Sequence, residues 1–100
     1  MNQSNLDAGG RVCVRSLISG RVQGVGYRYN TQKKAMALGL TGWVRNLPDG
    51  QVEAVVEGDP AQVTNLVEWF QSGPPAARVE AVSTSEEQLQ HFEGFEIRRS

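Results

Sequence analysis

The order in which strand and helix patterns follow one another is the feature that most constrains the fold of this chain. Residues 11–19, RVCVRSLIS, alternate between two sets of side chains, which is the period of a half-buried strand. Apolar and small residues then recur at helical spacing over residues 27–38, and Gly39 is well placed to end that helix. The chain therefore begins with a strand that leads into a helix.

A hairpin and a second helix come next. Residues 41–47 and 51–57 are predicted to be its two arms, and the Pro-Asp-Gly sequence at 48–50 supplies the turn. Asp59 is a favourable N-cap, and Pro60 suits the first position of a helix. The buried face of this helix is predicted from the i, i+3, i+4, i+7 spacing of Val63, Leu66, Val67 and Phe70.

A weaker strand near residues 79–83 and the closing segment FEIRR at 95–99 complete the pattern. The order is β-α-β-β-α-β, with the last strand open to division in two. This order is typical of the α+β ferredoxin-like split βαβ sandwich, in which two helices cover one face of a four- to five-stranded antiparallel sheet. We expect the other face to be open to water. We also expect residues 1–10 to be a disordered tail and residues 11–100 to form a single domain.

Composition excludes several classes of function. The net charge is -1 and the isoelectric point is about 5.8, so the chain lacks the basic surplus that binding to a nucleic-acid backbone requires. Cys13 and His91 are the only residues of their kinds, which argues against a disulfide, a zinc site and a Ser-His-Asp triad. We expect Cys13 to be inert and His91 to lie in an exposed loop. No signal peptide or membrane span is evident, so we expect a cytoplasmic monomer without a membrane partner.

The most unusual segment is GRVQGVGYR at residues 20–28, which joins the first strand to the first helix. Consecutive amides in a glycine-permitted curve can point inward and form an anion-binding nest. The first N–H groups of the helix are unpaired, and the guanidinium of Arg28 can grip two phosphate oxygens. These features together predict a site for a phosphate-sized anion.

Two better-known glycine motifs do not fit this segment. A Walker A loop would end in Gly-Lys-Ser/Thr, but Gly26 is followed by Tyr27 and Arg28. A dinucleotide fingerprint that starts at Gly24 would need a glycine where Tyr29 stands.

The predicted topology places a second group beside this loop. The first two strands of a split βαβ unit run parallel, so their C-terminal ends lie at the same edge of the sheet. One of these ends carries residues 20–28 and the other carries Arg45 and Asn46. Ligands of open sheets bind beyond strand ends, so this edge is the predicted site. We expect Arg45 and Arg21 to be surface charges near it, and Trp43 to serve packing.

Three segments together resemble the acylphosphatase family: GRVQGVGYR, then TQKKAMALGLTGWVRNLPDGQVEAVVEG, then FEIRR. The resemblance runs from about residue 11 to residue 99. It implies hydrolysis of the carboxyl–phosphate bond of small acyl phosphates, giving a carboxylate and inorganic phosphate. It also implies that Arg28 binds the phosphoryl group and that Asn46 orients the attacking water. The phosphate cradle would be formed by the backbone amides of Gln23, Gly24, Val25, Gly26, Tyr27 and Arg28.

The chemistry of this reaction explains how a site without histidine or a carboxylate pair would suffice. The leaving group is a carboxylate with a pKa of about 4, so it departs without a protonating acid. The site needs to stabilise charge on the phosphoryl group and to hold a water in line with the breaking bond. We therefore expect neither a metal nor an organic cofactor.

Two other classes of function remain open from the sequence. A domain that binds phosphate or acyl phosphate without turnover would need the loop but not a carboxamide that orients water. An RNA-binding module of the same topology would need aromatic residues and a basic face on its central strands, where this chain has QVEAVVE. Hydrolysis of a chromogenic acyl phosphate and RNA affinity at low salt would separate these alternatives.

Overall fold

A computed structural model describes residues 10–99, so all but Gly10 of the predicted tail lies outside the described residues. Seven elements follow one another in the chain. They are β1 (Val12–Arg21), α1 (Tyr27–Ala37), β2 (Thr41–Asn46), β3 (Val52–Gly58), α2 (Pro60–Phe70), β4 (Arg78–Glu87) and β5 (Phe95–Arg98).

The strands form one five-stranded sheet in the order β4-β1-β3-β2-β5, and both helices pack on one face of it. The core lies between the helices and that face, where β3 contributes alternate residues Val52, Ala54 and Val56. β3 pairs antiparallel with both β1 and β2, so these two run parallel, as the split βαβ arrangement requires. The predicted ferredoxin-like fold is thereby confirmed. The C-terminal ends of β1 and β2 lie together at the loop end of the sheet, named for the glycine loop of residues 22–26.

The last strand departs from the predicted antiparallel sheet. β5 pairs parallel with β2, whereas every other neighbouring pair is antiparallel, so the sheet is mixed. Residues 88–94, the connector, lead from β4 at one edge to β5 at the other. Seven extended residues reach at most about 25 Å, and four strand spacings are about 19 Å. The connector can therefore cross the end of the sheet at which β4 stops, but it cannot also travel to the other end, so β5 starts at that same end and runs opposite to β4.

The sheet face away from the helices is not open to water at its centre, contrary to expectation. Glu53, Val55 and Glu57 point to this face from β3, and all three are buried. The carboxylate of Glu57 accepts hydrogen bonds from the backbone N–H groups of Gln90 at 2.6 Å and Phe92 at 3.0 Å. The connector therefore lies over Glu57 at the end of the sheet opposite the glycine loop, which we call the connector end.

The two helices begin in different ways. The Asp59 side chain accepts hydrogen bonds from the N–H groups of Ala61 and Gln62, which satisfies the first turn of α2 as predicted. α1 instead begins after Gly26, whose φ of 80° lies in the left-handed region and which provides no side-chain cap. The first N–H groups of α1 therefore have no local side-chain acceptor.

Candidate active site

A cavity of about 170 Å³ opens at the loop end of the sheet, where β1, β2 and the start of α1 meet. The described residues that line it are Val22, Gly24, Gly26, Tyr27, Arg28, Tyr29, Asn46 and Ile97. Arg28 and Asn46, which are 18 positions apart in the sequence, thus border the same cavity. Parallel β1 and β2 bring them there, because Arg28 follows the end of one strand and Asn46 closes the other.

Backbone donors at this cavity are available for a ligand. Within residues 10–99, no hydrogen bond uses a backbone N–H of residues 23–28 as its donor. Gly24 and Gly26 both adopt left-handed φ angles, 76° and 80°, that other residues rarely adopt. These conformations carry the chain around the cavity and into α1, whose N-terminal dipole end is positive. Unpaired amides beside a helix N-terminus are suited to hold an anion.

Arg28 and Asn46 also have polar groups without partners among the described residues. The guanidinium of Arg28 makes no hydrogen bond or ion pair with the part of the chain that the structure describes. The side-chain Oδ1 of Asn46 is buried and accepts no hydrogen bond from that part either. A buried acceptor without a donor costs about 1–3 kcal/mol. These two groups are therefore not engaged by the described part of the chain.

Gln23 and Val25 lie outside the cavity lining, unlike the other four residues predicted for the cradle. The Gln23 side-chain Nε2 donates to the carbonyl oxygens of Leu47 and Gln51, at 2.9 and 2.8 Å. It thereby ties the glycine loop to the turn between β2 and β3. Val25 packs against the hydrophobic core. The side chains of both residues anchor the loop, which leaves their backbone amides as the groups that could contact a phosphate.

Tyr27 contributes to the site and to the core at once. Tyr27 is among the residues that line the cavity, but its side chain is buried. Its hydroxyl donates a hydrogen bond to the carbonyl oxygen of Phe70 at 2.9 Å. Burial raises the pKa of this hydroxyl. The phenol is therefore held neutral and fixes the start of α1 against α2.

Arg45 does not serve the cavity as a free surface charge, contrary to expectation. Its Nε donates to the carboxylate of Glu53 at 2.7 Å, and its guanidinium lies over Trp43 at 5.2 Å. Successive residues of a strand point to opposite faces, so Arg45 and Asn46 lie on different sides of the sheet. Burial opposes ionisation of Glu53, but hydrogen bonds from Arg45 and Arg15 outweigh it and lower the pKa of the carboxyl.

Three cavity residues lie outside the predicted site set: Val22, Tyr29 and Ile97. Val22 belongs to the glycine-rich segment, whereas nothing in the sequence around Tyr29 or Ile97 indicates a cavity. Ile97 reaches the cavity because β5 pairs with β2 and places Ile97 opposite Val44, two residues before Asn46 and on the same face. The alternation of Phe95 and Ile97 was visible in the sequence, but the neighbouring strand was not.

Other reactive residues lie away from the cavity. Cys13 is buried in β1, and burial together with the Glu57 and Glu87 carboxylates raises its pKa to about 12, so the thiol stays protonated. His91 is exposed in the connector, as predicted for a loop. Within residues 10–99, no three His, Cys, Asp or Glu side chains form a group that could hold a metal ion. Neither described helix is long and apolar enough to span a membrane.

Comparison with known proteins resolves the family. The family model described as Acylphosphatase matches residues 14–97, which include the glycine loop and Asn46. The chain belongs to the acylphosphatase family. An acylphosphatase of Acaryochloris marina is 60% identical over 88 residues, which are 88% of this chain and 95% of that relative.

Solved structures of acylphosphatases have the same fold. The acylphosphatase from Coxiella burnetii gives a TM-score of 0.86 at 41% identity, over 88% of this chain and 93% of that one. The Bacillus subtilis acylphosphatase gives a TM-score of 0.84 at 38% identity, over 87% and 98% of the two chains. The acylphosphatase family consists of hydrolases that act on small acyl phosphates, so the predicted family, fold and enzyme class are confirmed.

Proposed function

We propose that this acylphosphatase hydrolyses the carboxyl–phosphate bond by direct attack of a water on phosphorus, with Arg28 and Asn46 as its catalytic residues. The observation that carries the proposal is that one cavity holds a guanidinium and a buried carboxamide oxygen, neither of which has a partner within residues 10–99. Buried polar atoms normally have a partner, so the bare Oδ1 of Asn46 indicates a ligand or a water.

The phosphoryl group would bind to the backbone N–H groups of residues 23–28 and to Arg28. A phosphoryl group presents three oxygens, and a planar guanidinium can contact two of them in parallel. Negative charge is spread over these oxygens in the transition state, and fixed donors stabilise it without reorganising. The Gln23 side chain holds the glycine loop in place through its hydrogen bonds to the turn between β2 and β3.

Asn46 would hold the nucleophile. The Oδ1 atom is an acceptor only, so its partner must be a donor, and a water O–H meets that requirement. A water held there would lie beside the bound phosphoryl group, because Asn46 and Arg28 border the same cavity. Positioning of this kind lowers the barrier by removing the entropy cost of bringing the reactants together.

The bond changes balance without an acidic or basic side chain. The water oxygen forms a bond to phosphorus, the bond from phosphorus to the carboxylate oxygen breaks, and the carboxylate leaves with the electron pair. The water proton passes to a phosphoryl oxygen, which yields inorganic phosphate. The described lining residues include no carboxylate, histidine or cysteine, and this path uses none.

An assay with a chromogenic acyl phosphate tests the function. We expect turnover that follows saturation kinetics, with inorganic phosphate acting as a competitive inhibitor because product and substrate share the cradle. Absence of hydrolysis, together with saturable phosphate binding, would instead assign a binding domain without turnover.

Isotopic labelling tests the point of attack. Hydrolysis in water enriched in ¹⁸O should place the label in the inorganic phosphate, because the proposed nucleophile attacks phosphorus. Label in the carboxylate product would mean attack at the acyl carbon and would overturn the assigned role of Asn46.

We also propose that the enzyme works as a monomer in the cytoplasm. Support comes from Arg28 and Asn46, which one chain brings to the same cavity, and from Cys13, which is a buried free thiol. Analytical ultracentrifugation across a range of concentrations, and fractionation of the producing cells, test the two statements separately.

A further inference from the structure

The sheet face away from the helices carries a group of arginines that the cavity does not use. Arg15, Arg45 and Arg98 come from β1, β2 and β5, and we call them the arginine cluster. Their side chains are between 34% and 44% exposed. The chain as a whole has a net charge of -1, so three arginines on one surface are a local exception to its overall charge.

The three guanidinium groups form a continuous row across this face. The Nε atoms of Arg15 and Arg45 each donate to a carboxylate oxygen of Glu53, which lies between them. The Cζ atoms of Arg45 and Arg98 lie 5.2 and 4.7 Å from the centre of the Trp43 ring. Arg45 is therefore linked to one neighbour through a shared carboxylate and to the other through a shared indole.

The positive charge of the arginine cluster is not balanced by the described residues. Glu53 is shared by two of the arginines, and Arg98 has only Glu96, an exposed partner at 3.3 Å. An exposed ion pair of this kind contributes little. Arg45 and Arg98 are also direct partners in the register of β2 and β5, where like charges repel each other. An anion held against both guanidinium groups would remove this repulsion.

The arginine cluster also has hydrogen-bond donors to offer. Within residues 10–99, the hydrogen bonds that these three arginines donate all come from Nε. The N–H groups on the terminal nitrogens are thus available to a ligand without displacing Glu53. The contacts with Trp43 hold two of the guanidinium groups in place, so less side-chain entropy is lost when an anion binds.

We propose that the arginine cluster is a second anion site, which binds a ligand with several adjacent phosphate groups: an inorganic oligophosphate or the phosphate chain of a nucleotide. Each guanidinium can contact two oxygens of one phosphate, and a row of guanidinium groups matches a row of phosphates. Arg45 and Asn46 lie on different sides of the sheet, so this site is separate from the cavity. The inference goes beyond the proposed function and does not depend on it.

Calorimetric titration with inorganic tripolyphosphate tests this site. The Arg28→Ala enzyme is used, because its cavity has lost the guanidinium that would bind a phosphate there. We expect it to bind tripolyphosphate, more weakly as the salt concentration rises. Adding Arg98→Ala should raise the Kd about tenfold, since charge-assisted hydrogen bonds are lost. Arg78→Ala, an exposed arginine at the start of β4, is the matched control and should leave the Kd unchanged.

A second variant tests the charge balance of the arginine cluster from the opposite direction. Glu96→Gln removes the exposed carboxylate beside Arg98 and should lower the Kd about threefold. Arg98 and Glu96 are both largely exposed, so these variants should keep their fold, which thermal melts verify. An unchanged Kd in both Arg98→Ala and Glu96→Gln would refute the site.

Fluorescence shows where the ligand binds. Trp43 and Trp69 are the only tryptophans of the chain, so Trp69→Phe leaves Trp43 as the sole indole. Tripolyphosphate should change the emission of Trp43 in this variant, because its two arginine neighbours then contact the ligand. Arg98→Ala should weaken this response in parallel with the Kd. No response at saturating tripolyphosphate would contradict binding at the arginine cluster.

The choice of ligand separates the possible sources of the anion. Tighter binding of ATP than of tripolyphosphate would identify a nucleotide, and equal binding would identify the phosphate chain alone as the recognised group. Either result supports the site if Arg98→Ala weakens it. Binding that is lost with Arg28→Ala and unaffected by Arg98→Ala would place the ligand in the cavity and refute the proposal. Tighter binding of a polyglutamate peptide than of either phosphate ligand would also refute it, in favour of an acidic protein partner.

Discussion

At the connector end of the sheet the buried carboxylate of Glu57 accepts three hydrogen bonds, from Gln90, Phe92 and Arg11. At the loop end the buried Oδ1 of Asn46 accepts none from the described residues, and Arg28 nearby has no partner there either. The same sheet therefore carries a satisfied buried charge at one end and unsatisfied polar groups at the other.

Buried polar groups thus have different roles at the two ends of the sheet. A buried carboxylate with full hydrogen bonding fixes the connector and, through it, the direction of β5. Unsatisfied donors and acceptors cost stability and are tolerated where a ligand completes them. Substitutions of Arg28 and Asn46 should thus reduce activity without loss of stability, and substitutions of Glu57 should do the reverse.

The largest effect is expected at Arg28. Arg28→Ala should lower kcat/KM about 1000-fold, or about 4 kcal/mol, because a fixed donor to the developing charge is lost. Its melting temperature should stay the same, since the guanidinium has no partner in the described chain. Arg28→Lys should be nearly as inactive because an ammonium cannot contact two oxygens in parallel. Arg21→Ala is the control. A folded Arg28→Ala enzyme with a tenth of normal activity would refute the catalytic role of Arg28.

The reverse behaviour is expected of Glu57. Glu57→Ala should lower the free energy of unfolding by about 3 kcal/mol, because two backbone N–H groups and Arg11 lose their acceptor. Activity of the folded protein should remain near normal. Urea unfolding measures the free energy of unfolding, and initial rates at low temperature measure the activity of the folded protein. Glu93→Ala, an exposed change in the same connector, is the control, and a loss below about 1 kcal/mol in Glu57→Ala would contradict the comparison.

Substitution of Asn46 tests whether its Oδ1, which has no donor among the described residues, is needed for stability. Asn46→Ala should lower kcat about 100-fold, through loss of the oriented water. The unfolding free energy should be unchanged or higher, because a buried unpaired oxygen is removed. Asn65→Ala on the exposed face of α2 controls for loss of an amide elsewhere. A marked loss of stability in Asn46→Ala would mean that the carboxamide has a structural role.

A smaller, pH-dependent effect is expected at Glu53, which is buried between Arg15 and Arg45. Its folded-state pKa is below the ordinary value of 4.5, so ionisation stabilises the fold above that pH. Glu53→Gln should therefore cost about 2 kcal/mol at pH 7, and the difference should shrink as the pH falls from 4.5 through the folded-state pKa. Denaturant titrations at several pH values measure this. Glu96→Gln is the control because its ion pair with Arg98 is largely exposed, and a pH-independent difference would argue against the assignment.

The smallest effect is expected at Gln23, which anchors the glycine loop. Gln23→Leu removes the two hydrogen bonds from Nε2 to the carbonyls of Leu47 and Gln51. Each carbonyl keeps a second partner in the turn, so stability should fall by only about 1 kcal/mol. Looser placement of the loop should lower kcat about tenfold. Stability and kcat measured together check this, and full activity would show that the loop holds its shape without Gln23.

Much of the site could be predicted from the sequence because it depends on local chemistry and one topological rule. Glycines that adopt left-handed φ angles, a helix start without a cap and an arginine in its first turn are adjacent in the chain. The parallel relation of β1 and β2 then brings Asn46 to the same end of the sheet. The partners of Glu57 and Ile97 could not be predicted in this way, since the connector and a distant strand contribute them.

Sequence patterns alone predicted the two helices, the central hairpin, the acylphosphatase resemblance and the position of the glycine loop. These features depend on side-chain period, caps and turn residues, which act over a few positions. The direction of β5, the burial of Glu53 and Glu57 and the place of Ile97 beside the cavity became visible only in the folded chain. The physical reason is that burial and pairing depend on which strands become neighbours, and no local pattern in the chain specifies the neighbour of its last strand.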